Sequence, residues 1–435
     1  MRHNLKMQLS PFSDKYLQSC IRAGDSKKFA VDLALDCDAL LTETREQVDD
    51  GTITFQHREI PIPKGRKLFL IDNFHGALAL RATAKSLNLQ YGVSAGSRDA
   101  VVNGVLETLF DSSPFHVLRC DIKSFFENVD AKAILAEILG STKTHAHVKT
   151  VLRTLEAEGL LGGALSGVPR GLGLSTTFAE LALRKLDREA KEIEGVYRYF
   201  RFADDILLFS TQKVEPAFDE IKDIISPSFE LNSKTEIAEL ASLPDTIEKP
   251  RTEPASEFTY LGYLFECENG IRAQQSRQIL VKISRDKIKL RKTRVILSLK
   301  AFNKDRNAAL LLNRIKFLTS NFEIRKTGHT HGPKRARVKT GIYFNYQKCG
   351  LYKHGKQGPE KVSAAPTELK ELDGFLASLL WGNNSKFRTN IQASFTPKQR
   401  AELKSLSFYK GFTDKMTVRF NRSSVTEIRK AWLHA

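Results

Sequence analysis

No two of the five cysteines (Cys20, Cys37, Cys120, Cys267 and Cys349) form a Cys-x-x-Cys pair. The sequence therefore offers neither a disulfide framework nor a cysteine zinc site, and it fits a reducing compartment. His329, His331 and His354 lie near Cys349 but match no finger spacing, so no zinc is expected there. No uncharged apolar run approaches the roughly 18 residues that span a bilayer, and the opening MRHNLKMQLSPF lacks an apolar core of about 7–15 residues. A soluble cytoplasmic protein with no membrane partner is the expectation. Internal repeats and long low-complexity tracts are also missing, which excludes solenoids and leaves a continuous globular chain.

Acidic residues are scarce in one region. Between Gly270 and Lys353 about 22 Lys and Arg stand against about 3 Asp and Glu, within a chain of 435 residues and formal net charge +18. The remainder is close to neutral. A solvated helix face normally interleaves both signs, so a block of one sign reads as a surface for a polyanion, with nucleic acid ahead of a membrane. The length allows two or three structural units and a sizeable core.

From Ser97, an N-cap candidate, Val101, Val102, Val105, Leu106, Leu109 and Phe110 recur at helical spacing, and Asp111-Ser-Ser-Pro114 supplies the stop. His116 to Cys120 reads as a short strand that delivers Asp121. A helix is predicted after Asp130, with Gly140 at its end, and a long one from about Ser175 to Glu194, closed by Gly195. Two apolar and aromatic runs, Val196 to Phe202 and Ile206 to Phe209, flank Ala-Asp-Asp and predict a β-hairpin with two acids at its tip. Phe258 to Phe265 predicts another strand or hairpin, and Gln274 to Lys300 a basic helix. Residues 244–254 read as a connection, GHTHGPKRARVKTG from Gly328 as an exposed basic loop, and about 90 further residues as a last unit.

An Asp at a strand end is usually a cap, and Asp-Asp in a hairpin is usually turn chemistry. Asp121 and Asp204 on neighbouring elements are a different proposition. Phosphoryl transfer by two divalent ions about 3.5–4 Å apart needs carboxylates that bridge both metals from rigid supports.

Five segments follow one another in an order and spacing similar to those of reverse transcriptases: DIKSFFENVD from Asp121, GVPRGLGLSTTFAELAL from Gly167, YRYFRFADDILLFS from Tyr197, LNSKT from Leu231 and FTYLGYLF from Phe258. On these motifs the chain resembles that family from about Lys64 to Phe265. The resemblance implies an α+β right-hand polymerase with fingers, a palm whose antiparallel sheet carries the Asp-Asp hairpin, a helical thumb and a C-terminal extension. The implied boundaries are an N-terminal segment over 1–60, fingers over 61–115, palm with interleaved fingers elements over 116–268, basic thumb over 269–326 and the extension over 327–435.

It also implies RNA-directed DNA synthesis from dNTPs with two Mg²⁺, or Mn²⁺ in their place. The metal site would comprise Asp121, Asp204, Asp205 and the backbone carbonyl of Ile122, with Asp205 in the supporting part. Phe126 matches the family's steric gate against a ribose 2′-hydroxyl. Lys64, Arg66, Lys67 and Arg98 fall where cations meet the triphosphate, and Pro169, Arg170 and Gly171 fall beneath the nucleotide. Lys234 is a candidate to protonate the departing pyrophosphate, and Tyr260, Leu261 and Gly262 match the primer grip. The basic block offers Lys287, Lys289, Arg291, Lys292, Arg294, Arg314, Lys316, Lys334, Arg335, Arg337 and Lys339 to the nucleic acid.

Two positions depart from the family pattern. Arg170 stands where Gln is usual in Pro-Gln-Gly, and Phe202 stands where the Asp-Asp hairpin usually has Tyr. SAGSRDAVVNGVLETL and LLNRIKFLTSNFEIRK…VKTGIYFNYQ most resemble bacterial defence-associated, abortive-infection-type reverse transcriptases. That implies a role in antiviral defence with an RNA template or a structured noncoding RNA and a DNA product; a partner protein or a second copy stays open. The alternatives are a retron or group II intron-derived enzyme, a template-independent or protein-primed DNA polymerase, and an RNA-binding scaffold on a dead polymerase. Three clustered acids repel one another at a cost in stability, which argues against the last.

Overall fold

The computed structural model describes residues 10–433 other than 23, 63–64, 94–95, 112–114, 163–166, 234, 241–255, 268–277, 326–336, 357 and 364–365. Lys64, Lys234, Lys334, Arg335, the side chain of Arg337, the whole 244–254 connection and most of the loop from Gly328 lie outside the described residues.

Helix starts follow their caps. Ser97 accepts a hydrogen bond from the Ala100 N–H ahead of the Arg98–Leu109 helix, and Asp130 accepts from the Ala133 N–H ahead of the Ala131–Gly140 helix. Each satisfies a donor that the helix itself leaves free. The single helix predicted over 175–194 is instead two, Gly173–Ala182 and Arg184–Glu189, broken at Leu183 with φ −95° and ψ 5°. The bend brings Glu180 and Asp187 onto one guanidinium, that of Arg201. A straight helix would hold them about 10 Å apart along its axis.

Two strands, β1 (His57–Ile62) and β2 (Arg66–Ile71), form an antiparallel hairpin. The central sheet contains β3 (Phe115–Asp121), β4 (Val196–Phe202), β5 (Asp205–Ser210) and β6 (Glu236–Leu240), all antiparallel, in the order β4-β5-β3-β6. Both of its faces are covered. Leu118, Cys120, Ile206 and Leu208 join one core, and Val117, Leu207 and Phe209 join another. Burial on both sides explains why β5 reads as a nearly unbroken apolar run.

A second antiparallel sheet begins with β7 (Ser256–Tyr260), β8 (Tyr263–Cys267) and β9 (Ile279–Ile283). The last of these occupies the first part of the predicted basic helix, because Ile279, Val281 and Ile283 alternate inward with the period of a strand. The helix itself runs from Arg285 to Asp305 and packs on Ala308–Thr319. A hairpin of β10 (Asn321–Arg325) and β11 (Arg337–Gly341) follows. Then β12 (Gly350–Gly355) and β13 (Gly358–Lys361) extend the second sheet to the order β13-β12-β9-β8-β7. Finally β14 (Thr417–Val418) pairs parallel with β10.

The C-terminal segment therefore builds no core of its own. Leu369, Leu372, Phe408, Phe412 and Trp432 share one core with Val295, Leu299, Phe302 and Ile315 of the basic helical pair. The boundary expected at 326/327 lies outside the described residues, and described residues on both sides of it share that core. Among the described residues, no helix is long and apolar enough to cross a membrane.

Candidate active site

β3 ends on Asp121 and β5 begins on Asp205, and their antiparallel register sets these two residues opposite each other. Asp204 lies in the turn between β4 and β5, beside Ala203, whose φ of 55° supplies the left-handed step of the turn. Alternation along the strands puts Arg119, Asp121 and Asp205 on one face of the sheet. The Ile122 N–H donates to the Asp204 carbonyl at 3.1 Å, tying the two acid-bearing segments together through their backbones. Asn232 holds Asp121 from the other edge: its N–H donates to the Asp121 carbonyl at 2.6 Å, and its Nδ2 donates to Oδ2 at 3.3 Å.

Asp205 is engaged by an arginine. Nε of Arg119 donates to Oδ1 at 2.9 Å, and Nη1 donates to Glu236 Oε1 at 2.8 Å. The Tyr260 hydroxyl donates to the Asp205 carbonyl at 3.2 Å. Burial pushes the Asp204 carboxyl above the usual carboxylate range, and repulsion from Asp121 adds to it against Arg170 and Arg66. Burial likewise raises Asp205, outweighing Arg119. Among the described residues, no group of three or more His, Cys, Asp or Glu forms a ready cation site. The third acid stands as the counter-ion of Arg119 rather than as a free ligand. Asp121, Asp204 and the Ile122 carbonyl remain, a set of hard oxygen donors that suits Mg²⁺ or Mn²⁺, which fill their other positions with water and phosphate oxygens.

Beside the acids, Phe125 belongs to the core while Phe126 is half-buried, its ring 5.4 Å from that of Phe125. Arg170 lies over the Phe126 ring at 4.8 Å and donates from Nε and Nη2 to Glu127 at 2.7 and 3.0 Å. Arg66 approaches the same carboxylate at 3.6 Å. The strand carrying Arg66 docks on this segment through the Phe69 N–H, which donates to the Arg170 carbonyl at 2.7 Å. Gly171 permits that approach: its φ is 101°, and a Cβ there would lie 2.5 Å from the Phe69 carbonyl oxygen. Pro169 is fixed by the Ser175 hydroxyl, which donates to its carbonyl at 2.6 Å. Arg66, Phe126, Pro169, Arg170 and Gly171 are thus gathered on one side of the acids.

Two cations expected with them go elsewhere. Lys67 points to the opposite face of β2 and pairs with Glu59 at 2.6 Å. Arg98 donates from Nε and Nη2 to the Leu261 carbonyl and from Nη1 to the Asn345 carbonyl, with its guanidinium over the Tyr263 ring. It braces the β7–β8 turn.

On the Asp205 side the surface opens into a cleft of about 790 Å³, lined among others by Leu261 and Gly262 of that turn and by Lys287, Arg291 and Arg294 of the basic helix. Tyr260 is buried beneath it. Lys289 and Lys292 lie instead on a neighbouring groove with Glu368 and Glu371, Lys292 over the Phe375 ring. Arg314 is 4% exposed and faces Asp305, and Lys316 pairs with Glu402, so neither offers its charge to a polyanion. Lys339 is exposed.

Four residues of the site had no part assigned from the sequence: Arg119, which lies just before the first motif, and Glu127, Asn232 and Arg201, which lie inside the motifs. The last is almost buried, pairs with Glu180 at 2.7 Å and Asp187 at 2.6 Å, and donates to the Ala203 carbonyl at 2.9 Å, bracing the turn that carries Asp204. An arginine inside an apolar strand was the available signal for Arg119 and Arg201, since such a charge is buried only when paired.

No family model matches the sequence, and no curated protein matches it. Among solved structures, the chain is similar to an apo telomerase from Candida tropicalis truncated from its C-terminal domain, with 13% identity and a TM-score of 0.31. The similarity covers 48% of this chain and 45% of the telomerase chain, and at that TM-score it carries no argument.

Proposed function

We propose that this chain is a reverse transcriptase, extending a primer along an RNA template by metal-dependent nucleotidyl transfer. The observation that carries the proposal is the Asp121–Asp204 pair, joined through the Ile122–Asp204 backbone bond, between the Arg66–Arg170 cluster and a basic cleft. Asp121, Asp204 and the Ile122 carbonyl would hold two Mg²⁺ ions. Bound there, the ions would stabilise the attacking and leaving oxygens of an in-line displacement.

The other residues take the parts that their positions allow. Arg66 and Arg170 supply positive charge for the triphosphate, and their guanidinium forks suit phosphate oxygens. Phe126 presents its ring to the sugar. Leu261 and Gly262 place backbone against the primer end, and Lys287, Arg291 and Arg294 follow the phosphates along the cleft. Lys234 remains the candidate proton donor to pyrophosphate. The sub-family resemblance extends the proposal to antiviral defence with a structured noncoding RNA as template or scaffold.

The test is to purify the protein with its accompanying RNA and supply labelled dNTPs and Mg²⁺, with and without prior RNase. Product that vanishes after RNase supports RNA-templated synthesis, and sequencing it identifies the template. Product that survives points to template-free or protein-primed synthesis, and absence of product in both arms removes the polymerase assignment.

A further inference from the structure

A half-buried ring can turn unless its neighbours hold it. Phe126 has the Phe125 ring at 5.4 Å and the Arg170 guanidinium at 4.8 Å. Arg170 is itself anchored at both ends. Its side chain makes two hydrogen bonds to Glu127, the residue that follows Phe126, and its carbonyl accepts from Phe69. The Val168 N–H donates to the Phe126 carbonyl at 2.9 Å, and a Cβ on Gly167 would lie 2.3 Å from that oxygen, so the segment from Gly167 to Gly171 is wrapped directly onto Phe126 and Glu127. Ring, guanidinium and carboxylate close a loop in which each member fixes the next.

We infer that Arg170 is a positioning residue for sugar selectivity: through its pair with Glu127 it pins the Phe126 ring, so rejection of a 2′-hydroxyl depends on Arg170 as well as on the ring. This rests on the polymerase assignment above. A guanidinium suits the task because its planar fork meets both carboxylate oxygens while its face lies on the ring. A lysine ammonium is a point charge and does not do both at once. The hydrogen bonds from Arg170 hold the Glu127 carboxyl below its usual range, which keeps the pair ionised.

The experiment compares kcat/KM for dNTP and rNTP incorporation on one primer-template, using the full chain and its variants Phe126→Ala, Arg170→Gln, Arg170→Lys, Glu127→Gln and the Arg170→Gln/Glu127→Gln double. Any loss of charge toward the triphosphate affects both sugars alike, so the ratio isolates the ring. Phe126→Ala should collapse the ratio. Each Arg170 variant should lower the ratio about tenfold on top of any loss common to both sugars, and Glu127→Gln should lower it in the same direction. The double variant should fall no further than the lower single one, because the two residues act as one unit. A wild-type ratio in Arg170→Gln beside a collapsed ratio in Phe126→Ala overturns the inference and leaves the polymerase assignment standing. If the wild type incorporates nothing, that assignment fails by itself and the clamp is read without turnover. In a Phe126→Trp background, corrected for the parent's Trp381 and Trp432, acrylamide quenching of the introduced indole should rise when Arg170→Gln is added, and unchanged quenching overturns the clamp.

Discussion

Arg119 and Asp205 form an ion pair across the β3–β5 ladder, with Nε 2.9 Å from Oδ1 and side-chain exposures of 21% and 17%. Arg119 sits two residues before Asp121, on the face that Asp121 and Asp205 share. One guanidinium therefore neutralises the second acid of the hairpin and leaves the first to face Asp121. Truncating it with Arg119→Ala leaves a largely buried carboxylate unpaired. A loss of about 2–3 kcal/mol in unfolding free energy is expected by urea denaturation, below the full value for a sealed pair because some solvent reaches both groups. A loss under about 0.5 kcal/mol would mean that Asp205 finds another partner or simply takes up a proton.

Asp204→Asn should separate catalysis from stability. Incorporation should fall about 1,000-fold or more, because on the proposed assignment one of the two carboxylates that would hold the metals is gone. Stability should hold or rise by up to about 1 kcal/mol, since burial and Asp121 both disfavour the ionised group. A destabilised variant would identify Asp204 as a structural acid.

The pH response has a definite sign. Burial lifts the Asp204 and Asp205 carboxyls above the ordinary value of 3.8. Between that value and the raised one, the folded chain holds protons that the unfolded chain has released, so these two groups make stability fall as pH rises through the window. Above it ionised Asp204, beside Asp121, is a standing cost that a divalent cation held by this pair would relieve. Added Mg²⁺ should raise the Tm at about pH 7.5, do so less at about pH 4.5, and do nothing for Asp204→Asn. Equal responses at both pH values would contradict a carboxylate site.

The cleft makes a prediction about salt. Lys287 and Arg285 line it, whereas Lys370 lies over the Tyr409 ring away from it. The Lys287→Ala/Arg285→Ala double variant should weaken binding of a primer-template and reduce the slope of log K against log salt by about 1–2, with Lys370→Ala as the matched control. Equal slopes for both variants would place the nucleic acid elsewhere.

Gly171→Ala tests the docking of the β1–β2 hairpin. The left-handed φ of 101° and the 2.5 Å approach to the Phe69 carbonyl leave no room for a methyl group. The substitution should cost about 2 kcal/mol and weaken nucleotide binding by displacing Arg66. A variant with wild-type stability and nucleotide affinity would show that the hairpin docks by other contacts.

Local pieces of the chain that carry their own signal are legible in the residues alone. Ser97 and Asp130 start helices because a short polar side chain satisfies free N–H groups, and Ala203-Asp204-Asp205 turns because apolar strands flank it on both sides. The order of the five motifs likewise made the acids legible before any contact was known. Which charges are already paired depends on the folded chain. Lys67, Arg98, Arg314 and Lys316 are indistinguishable in sequence from cations free to meet a polyanion, yet each meets a partner on a different strand, helix or turn. Arg119, Arg201 and Asn232 show the converse: they serve the acids although no motif assigns them a part, through partners brought near by the folding of the chain. Local propensity acts over one or two turns, whereas a charge pairs with whatever lies within a few ångströms in space, and the folded chain alone sets those distances.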